Sequence, residues 1–167
     1  MNIYITTGSY NFLKPKKEKH PKEKILMMQN SQKTLLLHET EGKTLFSSPR
    51  KFEVIESVGD WPENGITAMY HTPVEIDDQS MFELKMKKNI VPVSREAGLI
   101  ALRFLRPVKS DTYVLLTVWE NERSYRDWKS SPSYSEVKFY ADSTKGTSTK
   151  PLFSGSAYET EYSLITE

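Results

Sequence analysis

The sequence predicts an α+β fold in which about eight antiparallel strands close into a barrel within one chain, flanked by helices. Three observations support this prediction. Residues 66–165 follow the order β-α-β-β-α-β, the ferredoxin-like arrangement of an antiparallel sheet with helices on one face. The segment Tyr113–Trp119 is apolar on both alternating faces, so its sheet needs a second covering layer. Strand-like segments in residues 1–60 can supply that layer.

The first elements are read from short apolar segments. Strands are predicted at 2–7, 25–30 and 34–39, with a fourth candidate at 43–46 after a Glu-Gly turn. The lysine-rich segment 14–24 is interpreted as a solvated connector that its two prolines hold open. The alternative interpretation is a patch for phosphate, an anionic membrane or an acidic ligand.

A helix is predicted next, over residues 48–59. Ser48 is suited to its N-cap, Pro49 to its first turn and Gly59 to its end, while Phe52, Ile55 and Val58 have helical spacing. The turn-rich stretch 60–65 then forms the best internal boundary. We therefore expect an N-terminal half-barrel at 1–62 and a C-terminal ferredoxin-like domain at 63–167.

The C-terminal half is more regular. Its strands are predicted at 66–74, 99–106, 112–119 and 158–165. A first helix covers 78–89 with Asp78 as its cap, a second begins at Asn121 and runs to about Ser130, and a third restarts at Ser131-Pro132 and runs to about Tyr140.

Composition excludes several kinds of site. The 167 residues contain no cysteine, which removes disulfides, thiolate zinc sites, iron–sulfur clusters and thiol nucleophiles. The three histidines are dispersed, and no phosphate-loop, dinucleotide, zincin or hydrolase motif occurs. A formal net charge of +1 gives no global reason to expect nucleic acid. Without a signal peptide or a long apolar segment we expect a cytoplasmic protein, and a barrel closed within one chain predicts a monomer.

One aromatic cluster is a candidate binding region. Tyr125 and Trp128 are spaced i, i+3 on one predicted helix, and Tyr134 and Val137 repeat that spacing on the next. The cluster is either a wall of a pocket for a flat apolar ligand or the core-facing side of two ordinary helices. Spacing alone favours the second interpretation.

Two stretches of sequence resemble a known family. The segment LRPVKSDTYVLLTVWENERSYRDWKSSPSY at 105–134 and the opening MNIYITTGSYNFL are similar to HmoB/IsdG-type haem-degrading monooxygenases of the antibiotic biosynthesis monooxygenase-like (ABM) superfamily. The similarity is to the long single-chain branch, which includes the signal transduction protein TRAP. It implies a dimeric α+β barrel fold completed within one chain, with residues 63–167 as the ABM domain.

The resemblance also implies positions for a haem site. The tryptophan that distorts the porphyrin in this family matches Trp128, whereas the axial histidine falls on Lys138 and the asparagine near bound oxygen on Tyr70. A lysine amine can bind iron only after losing its proton, from an unperturbed pKa of about 10.4. The side chains that could replace it are His71, Tyr134 and Tyr140. Strand alternation places Tyr70 and His71 on opposite faces.

Two functions follow as expectations. The first is a haem-binding protein with the haem-degrading monooxygenase activity of the family, which would use O2 and an electron donor. Trp128 and Tyr70 would then serve catalysis, and the cofactor would contact Trp128, His71, Tyr134 and Lys138, the last at the metal position. The alternative is a non-catalytic, TRAP-like protein of signal transduction or stress response, whose degenerate haem site is plugged by Tyr70 and its neighbours.

Overall fold

Eight strands and four helices make up the described part of the chain. A computed structural model describes residues 1–146 and 157–165, with side chains described up to 141 and again from 157. The strands are β1 (Asn2–Gly8), β2 (Ile25–Gln29), β3 (Thr34–Thr40), β4 (Arg50–Gly59), β5 (Ile66–Pro73), β6 (Leu99–Pro107), β7 (Thr112–Trp119) and β8 (Tyr158–Ile165). The helices are α1 (Tyr10–Glu18), α2 (Gln79–Val93), α3 (Glu122–Lys129) and α4 (Pro132–Gly146).

All eight strands pair antiparallel in one closed barrel, in the order β1-β3-β2-β8-β5-β7-β6-β4. This confirms the predicted fold class. The four strands from residues 1–62 are contiguous around the barrel, and so are the four from the remainder. The division of the chain at residue 62 stays a prediction, as does the monomeric state.

The barrel wall separates three apolar clusters. One fills the interior and receives side chains from every strand. A second lies outside, between α2, α3, α4 and the C-terminal strands, and a third lies under α1. The predicted two-faced burial of β7 is confirmed, because Val114, Leu116 and Val118 pack inside while Tyr113, Leu115 and Trp119 pack against the helices. Among the described residues, no helix is both long and apolar enough to cross a membrane.

The helix predicted over residues 48–59 is wrong, because this segment is β4. Phe52 packs inside the barrel, whereas Ile55 and Val58 pack toward the helices. A β-bulge between Val54 and Glu56 shifts the alternation of the strand, so Ile55 and Val58, three residues apart, lie on the same face as they would in a helix. The spacing that suggests a helix therefore comes from a bulged strand. Pairing with β1 and β6 on its two sides closes the barrel and overrides the local pattern.

Of two other N-terminal predictions, the strand at 43–46 is wrong and the solvated connector at 14–24 is wrong in part. Residues 43–46 form no strand; Phe46 is buried against the ring of His38, with the centroids 5.6 Å apart. The lysine-rich segment is partly helical, since α1 runs through Pro15 to Glu18. The Ser9 hydroxyl caps α1 by accepting from the Phe12 amide at 3.2 Å, and Leu13 is fully buried beneath the helix. Capping and burial outweigh the one hydrogen bond that Pro15 removes.

Of the two helix caps predicted in the C-terminal half, one is confirmed and the other is wrong. The Asn121 side chain accepts from the Ser124 amide at 2.9 Å and caps α3, as predicted. Asp78 precedes α2, but its side chain makes no capping hydrogen bond, so the predicted cap is wrong. A short 3-10 turn at Ile76–Asp78 leads into α2 instead, with the Asp78 amide bonded to the Glu75 carbonyl at 2.9 Å.

A buried ion pair closes one end of the barrel and joins its two halves. Arg103 of β6 donates from Nε to Glu39 Oε2 of β3 at 2.7 Å, and both side chains are less than 10% exposed. Arg103 Nη1 also donates to the carbonyls of Val58, Gly59 and Leu102, each at 3.0 Å. Trp61 covers the pair, with its Nε1 donating to Glu39 Oε1 at 3.1 Å.

Candidate functional site

The candidate site is the space between the helices α3 and α4 and the strands β5, β7 and β8, here called the α3–α4 cleft. Its walls are Tyr70 on β5, Trp128 on α3, Tyr134 on α4 and Glu159 on β8. The Asn121 cap sets the direction of α3, which buries Tyr125 and Trp128 toward the sheet. The helical conformation is interrupted at Ser130 and Ser131. The helix α4 then begins at Pro132, a residue suited to a first helical turn.

Trp128 is held in place by two aromatic rings and a hydrogen bond. Its ring stacks on Trp119, with centroids 5.0 Å apart, and meets the ring of Tyr134 edge-on at 4.9 Å. Its Nε1 donates to the Ser133 hydroxyl at 3.0 Å, and that hydroxyl donates to Glu96 Oε1 at 2.8 Å. The side chain is 3% exposed. Trp128 therefore packs as a core residue of the helix layer.

At the open end of the cleft, Glu159 of β8 contacts side chains from both helices. Its carboxylate accepts a hydrogen bond from the Tyr134 hydroxyl and lies 3.0 Å from Lys129 Nζ. The Lys129 ammonium also sits over the rings of Tyr125 and Tyr134, at 5.3 and 5.8 Å from their centroids. These four residues, called the Glu159 cluster below, tie α3 and α4 to β8.

The electrostatics of the Glu159 cluster keep the phenol of Tyr125 neutral. The Tyr125 hydroxyl lies 3.5 Å from Glu159 Oε2 and also faces the carboxylate of Glu161. Burial first, then the hydrogen bond with Glu161 and the charge of Glu159, raise the pKa of Tyr125 well above its ordinary value. A phenolate at this position is therefore strongly disfavoured at neutral pH.

The structure brings some of the sequence-predicted site residues together and separates others. Tyr70, Trp128 and Tyr134 meet at the cleft. Lys138 lies exposed on α4, one turn beyond Tyr134. His71 lies on the other face of β5, as strand alternation predicts, where its Nε2 is 2.9 Å from the Thr160 hydroxyl and its ring stacks on Tyr158.

The side chains of the cleft do not fit a haem. The space left between Tyr70, Trp128 and their neighbours is a cavity of about 10 Å³, which is room for about one water molecule. A pocket for a ligand of drug size measures roughly 300–1,000 Å³. Lys138, the residue on which the family resemblance places the iron ligand, lies exposed at the surface. In addition, no group of three or more His, Asp or Glu side chains in the described ranges is arranged to hold a metal ion.

Burial of His71 predicts that the stability of the folded protein depends on pH. Burial first, then the positive charges of Arg50 and Lys33, lower its pKa from 6.5 to about 4. Between these two values the unfolded chain binds more protons than the folded one, so folding stability falls as the pH falls. The full difference corresponds to about 3 kcal/mol.

Substituting His71→Gln, which keeps a partner for Thr160, is expected to remove this contribution. Urea unfolding at a series of pH values should show that the stability of the wild type falls more steeply than that of the variant between pH 6.5 and 4. Parallel profiles for the two proteins would show that His71 does not bind its proton differently in the folded and unfolded states.

Sequence reasoning missed the Glu159 cluster. Helical spacing identifies Tyr125 and Tyr134, but Glu159 lies 25 residues beyond Tyr134 and on a strand. The one available signal is the alternation of Glu159 and Glu161 in β8, which places two carboxylates on one face of the strand.

The sequence and the fold are similar to those of known proteins. Residues 66–138 match the family model described as antibiotic biosynthesis monooxygenase. The signal transduction protein TRAP of Staphylococcus epidermidis is 28% identical over 136 residues, which is 81% of each chain. A solved structure described as a major regulator of staphylococcal pathogenesis superposes with a TM-score of 0.80 at 23% identity, covering 100% of this chain and 99% of that one.

A haem-degrading enzyme shares the same fold. The structure of LmHde, a heme-degrading enzyme from Listeria monocytogenes, superposes with a TM-score of 0.78 at 19% identity, covering 97% of this chain and 98% of the enzyme. At this identity the likeness establishes the fold alone. The fold is therefore found both in a protein described as a regulator and in a haem-degrading enzyme.

Proposed function

We propose that this chain, of which residues 66–138 match the antibiotic biosynthesis monooxygenase family model, is a non-catalytic signal transduction protein whose α3–α4 cleft is filled by its own side chains. The observation that carries the proposal is the cavity of about 10 Å³ in the cleft. An enzyme of this fold needs space for its substrate between the helices and the sheet, and here that space holds an aromatic core.

The packing that fills the cleft is specific. Tyr70 is 8% exposed and Tyr134 is 9% exposed, and both belong to the same apolar cluster as Trp119 and Trp128. A tyrosine is larger than the asparagine that the family resemblance implies at position 70, so it occupies volume that a ligand would need. Close packing of this kind resists the insertion of a large ring without movement of the helices.

Polar contacts reinforce the closure. A flat ligand entering from the open end has to displace the Tyr134–Glu159 hydrogen bond and the Lys129–Glu159 ion pair. A ligand carboxylate placed beside Glu159 would be repelled by it and would compete for Lys129, the one ion-pair partner of Glu159 among the described side chains. Neither change is compensated by an iron ligand, because the ligand position carries Lys138 at the surface.

Similarity to TRAP supports the signalling part of the proposal. The matched region spans 81% of this chain and 81% of the Staphylococcus epidermidis protein, so the two are comparable over most of their length. A signalling role requires a surface that binds a partner and makes no demand on an internal cavity. The closed cleft and the similarity to TRAP are therefore compatible with each other.

A second candidate is haem binding with haem degradation, and one observation favours it. Trp128 occupies the position of the tryptophan that the family resemblance assigns to porphyrin distortion, and it lies in the cleft. This function needs haem, O2, an electron donor and a cleft that opens between α3, α4 and β8. Among the described side chains, the cleft lacks both the volume and a histidine ligand.

The substitution Lys138→His separates a missing ligand from a missing cavity. We expect that this variant, titrated with hemin, develops no saturable Soret band and no increase in melting temperature, because supplying an imidazole does not supply space. The wild type and Lys138→Gln, which changes the same position without providing a ligand, are the controls. A one-to-one Soret band only in Lys138→His would show that the cleft opens readily and that this chain has lost only the iron ligand.

A further inference from the structure

Part of one edge of β8 has no neighbouring strand among the residues that the structure describes. Along one side, β8 pairs with β5 from Tyr158 to Ser163. Along the other side, it pairs with β2 only from Ser163 to Ile165, where Gln29, Met28 and Met27 are the partners. The stretch 158–162 therefore has a strand on one side and, within the described residues, none on the other.

The orientation of the backbone shows which groups face this open edge. The Leu164 amide donates to the Gly65 carbonyl on the β5 side at 3.0 Å. Because backbone groups alternate in an antiparallel strand, those of Glu159 and Glu161 point the opposite way, toward β2. Asn30 confirms this direction, since its side-chain amide donates to the Glu161 carbonyl at 3.0 Å. An unpaired edge of this kind is a template for another strand.

A hollow adjoins the open edge. It has a volume of about 230 Å³ and is bordered by Asn30, Glu122, Tyr125 and Glu161. Beyond Asn30 a larger hollow of about 400 Å³ continues along the β2–β3 turn toward the start of α1. Glu122 and Glu161 are exposed at the first hollow. Glu122 is paired with Arg126, so the carboxylate of Glu161, which has no ion pair among the described side chains, is the one available to an incoming cation.

We propose that the open edge of β8, residues 158–161, binds an extended peptide segment of a partner protein as an added strand, with a lysine or arginine side chain of the peptide entering the hollow beside Glu161. Strand addition supplies main-chain hydrogen bonds, and alternate side chains supply specificity. A basic residue on the peptide faces Glu161 across the new strand pair, which is a favourable cross-strand arrangement. The inference depends on the proposed function in one respect, which is that a signalling protein is expected to have a partner protein.

The same carboxylates disfavour a second copy of this chain as the occupant. Two β8 edges paired antiparallel about Thr160 place Glu159 of one copy opposite Glu161 of the other, on the same face. Like charges directly opposite each other destabilise a strand pair. Charge complementarity therefore selects a basic peptide over self-association.

The test uses a defined probe, an acetylated octapeptide of alternating lysine and valine, added to the ¹⁵N-labelled full chain. We expect the amide resonances of Glu159 and Glu161 to shift on titration and their hydrogen exchange to slow. The control peptide has the same sequence with N-methyl groups on alternate residues, which removes the main-chain donors and keeps the charge. Its affinity should be weaker by about tenfold or more.

Two variants sharpen the outcome. Glu161→Pro removes the backbone N–H that faces the open edge, where a proline is tolerated, and Glu161→Gln removes only the charge. Both should weaken binding of the octapeptide, and a glutamate–valine octapeptide should not bind at this edge. Equal binding of the N-methylated peptide, or shifts confined to other surfaces, would overturn the inference.

Self-association and failure of the proposed function have separate readouts. Sedimentation of the unliganded chain that shows a dimer, lost in Glu161→Pro, would identify a second copy as the occupant and overturn the peptide proposal. If hemin gives no Soret band and the octapeptide gives no shifts at β8, the non-catalytic assignment stands and this inference alone fails. If hemin binds while the octapeptide still adds to β8, the proposed function fails and the edge remains a binding site.

Discussion

Replacing Trp128 by alanine is expected to lower the free energy of unfolding by about 3–5 kcal/mol, the range for removing a buried tryptophan from a core. The loss combines the stacking on Trp119, the edge contact with Tyr134 and the hydrogen bond to Ser133. It is measured by urea or thermal unfolding of the protein without any added cofactor. Trp128→Phe, which keeps an aromatic ring but loses the Nε1 donor, should cost less and provides a readout if the alanine variant does not fold.

The control for Trp128 lies on the neighbouring helix. Phe139 on α4 is 74% exposed, so Phe139→Ala should change stability by no more than about 0.5 kcal/mol. A tryptophan that lines an open cofactor pocket would already be partly solvated and would contribute little to stability without the cofactor. A loss below about 1 kcal/mol for Trp128→Ala would therefore contradict the packed cleft and favour a pocket.

The second large effect is expected at the end of the barrel. Arg103→Met should destabilise the fold by about 3–5 kcal/mol, because it leaves the buried carboxylate of Glu39 without its ion-pair partner. The variant also removes the donor to three backbone carbonyls where β4 meets β6. Since Arg103 and Glu39 belong to different halves of the barrel, the variant weakens the contact between those halves. Urea unfolding followed by far-ultraviolet circular dichroism measures the change.

Two comparisons isolate the buried ion pair. Arg126→Met breaks an exposed pair with Glu122 and should cost no more than about 1 kcal/mol. The double substitution Glu39→Gln with Arg103→Met removes the uncompensated charge, so it should be more stable than Arg103→Met alone. If Arg103→Met costs as little as Arg126→Met, the ion pair does not hold the barrel end together.

Much of the fold follows from strand alternation and caps. The two apolar faces of β7 require a covering layer, and the N-terminal strands provide it by completing the barrel. Asn121 marks the start of α3 by local chemistry alone. The failures occur where tertiary pairing overrides local pattern, since β4 carries a bulge that mimics helical spacing. Pro15 likewise suggests an open connector, yet burial of Leu13 stabilises a helix there.

The candidate site was only partly predictable, because its key contacts are distant in sequence. Spacing on α3 and α4 identifies the aromatic residues Trp128 and Tyr134. It cannot show that they pack against Trp119 and Tyr70, nor that Glu159 binds Tyr134 from another strand. The distinction between a pocket wall and a core face depends on these contacts, and the structure favours the core face.

The most direct test of the packed cleft is a titration of the wild-type protein with hemin, followed by the Soret band and by tryptophan fluorescence. Because Trp119 and Trp128 line the helix layer, a porphyrin in the cleft would quench their emission in step with the Soret change. The closed cleft predicts no saturable Soret band at one equivalent of hemin and no matching quenching. A saturating one-to-one Soret band with coincident quenching, lost on adding reductant and oxygen, would contradict the non-catalytic assignment and establish a haem-degrading protein.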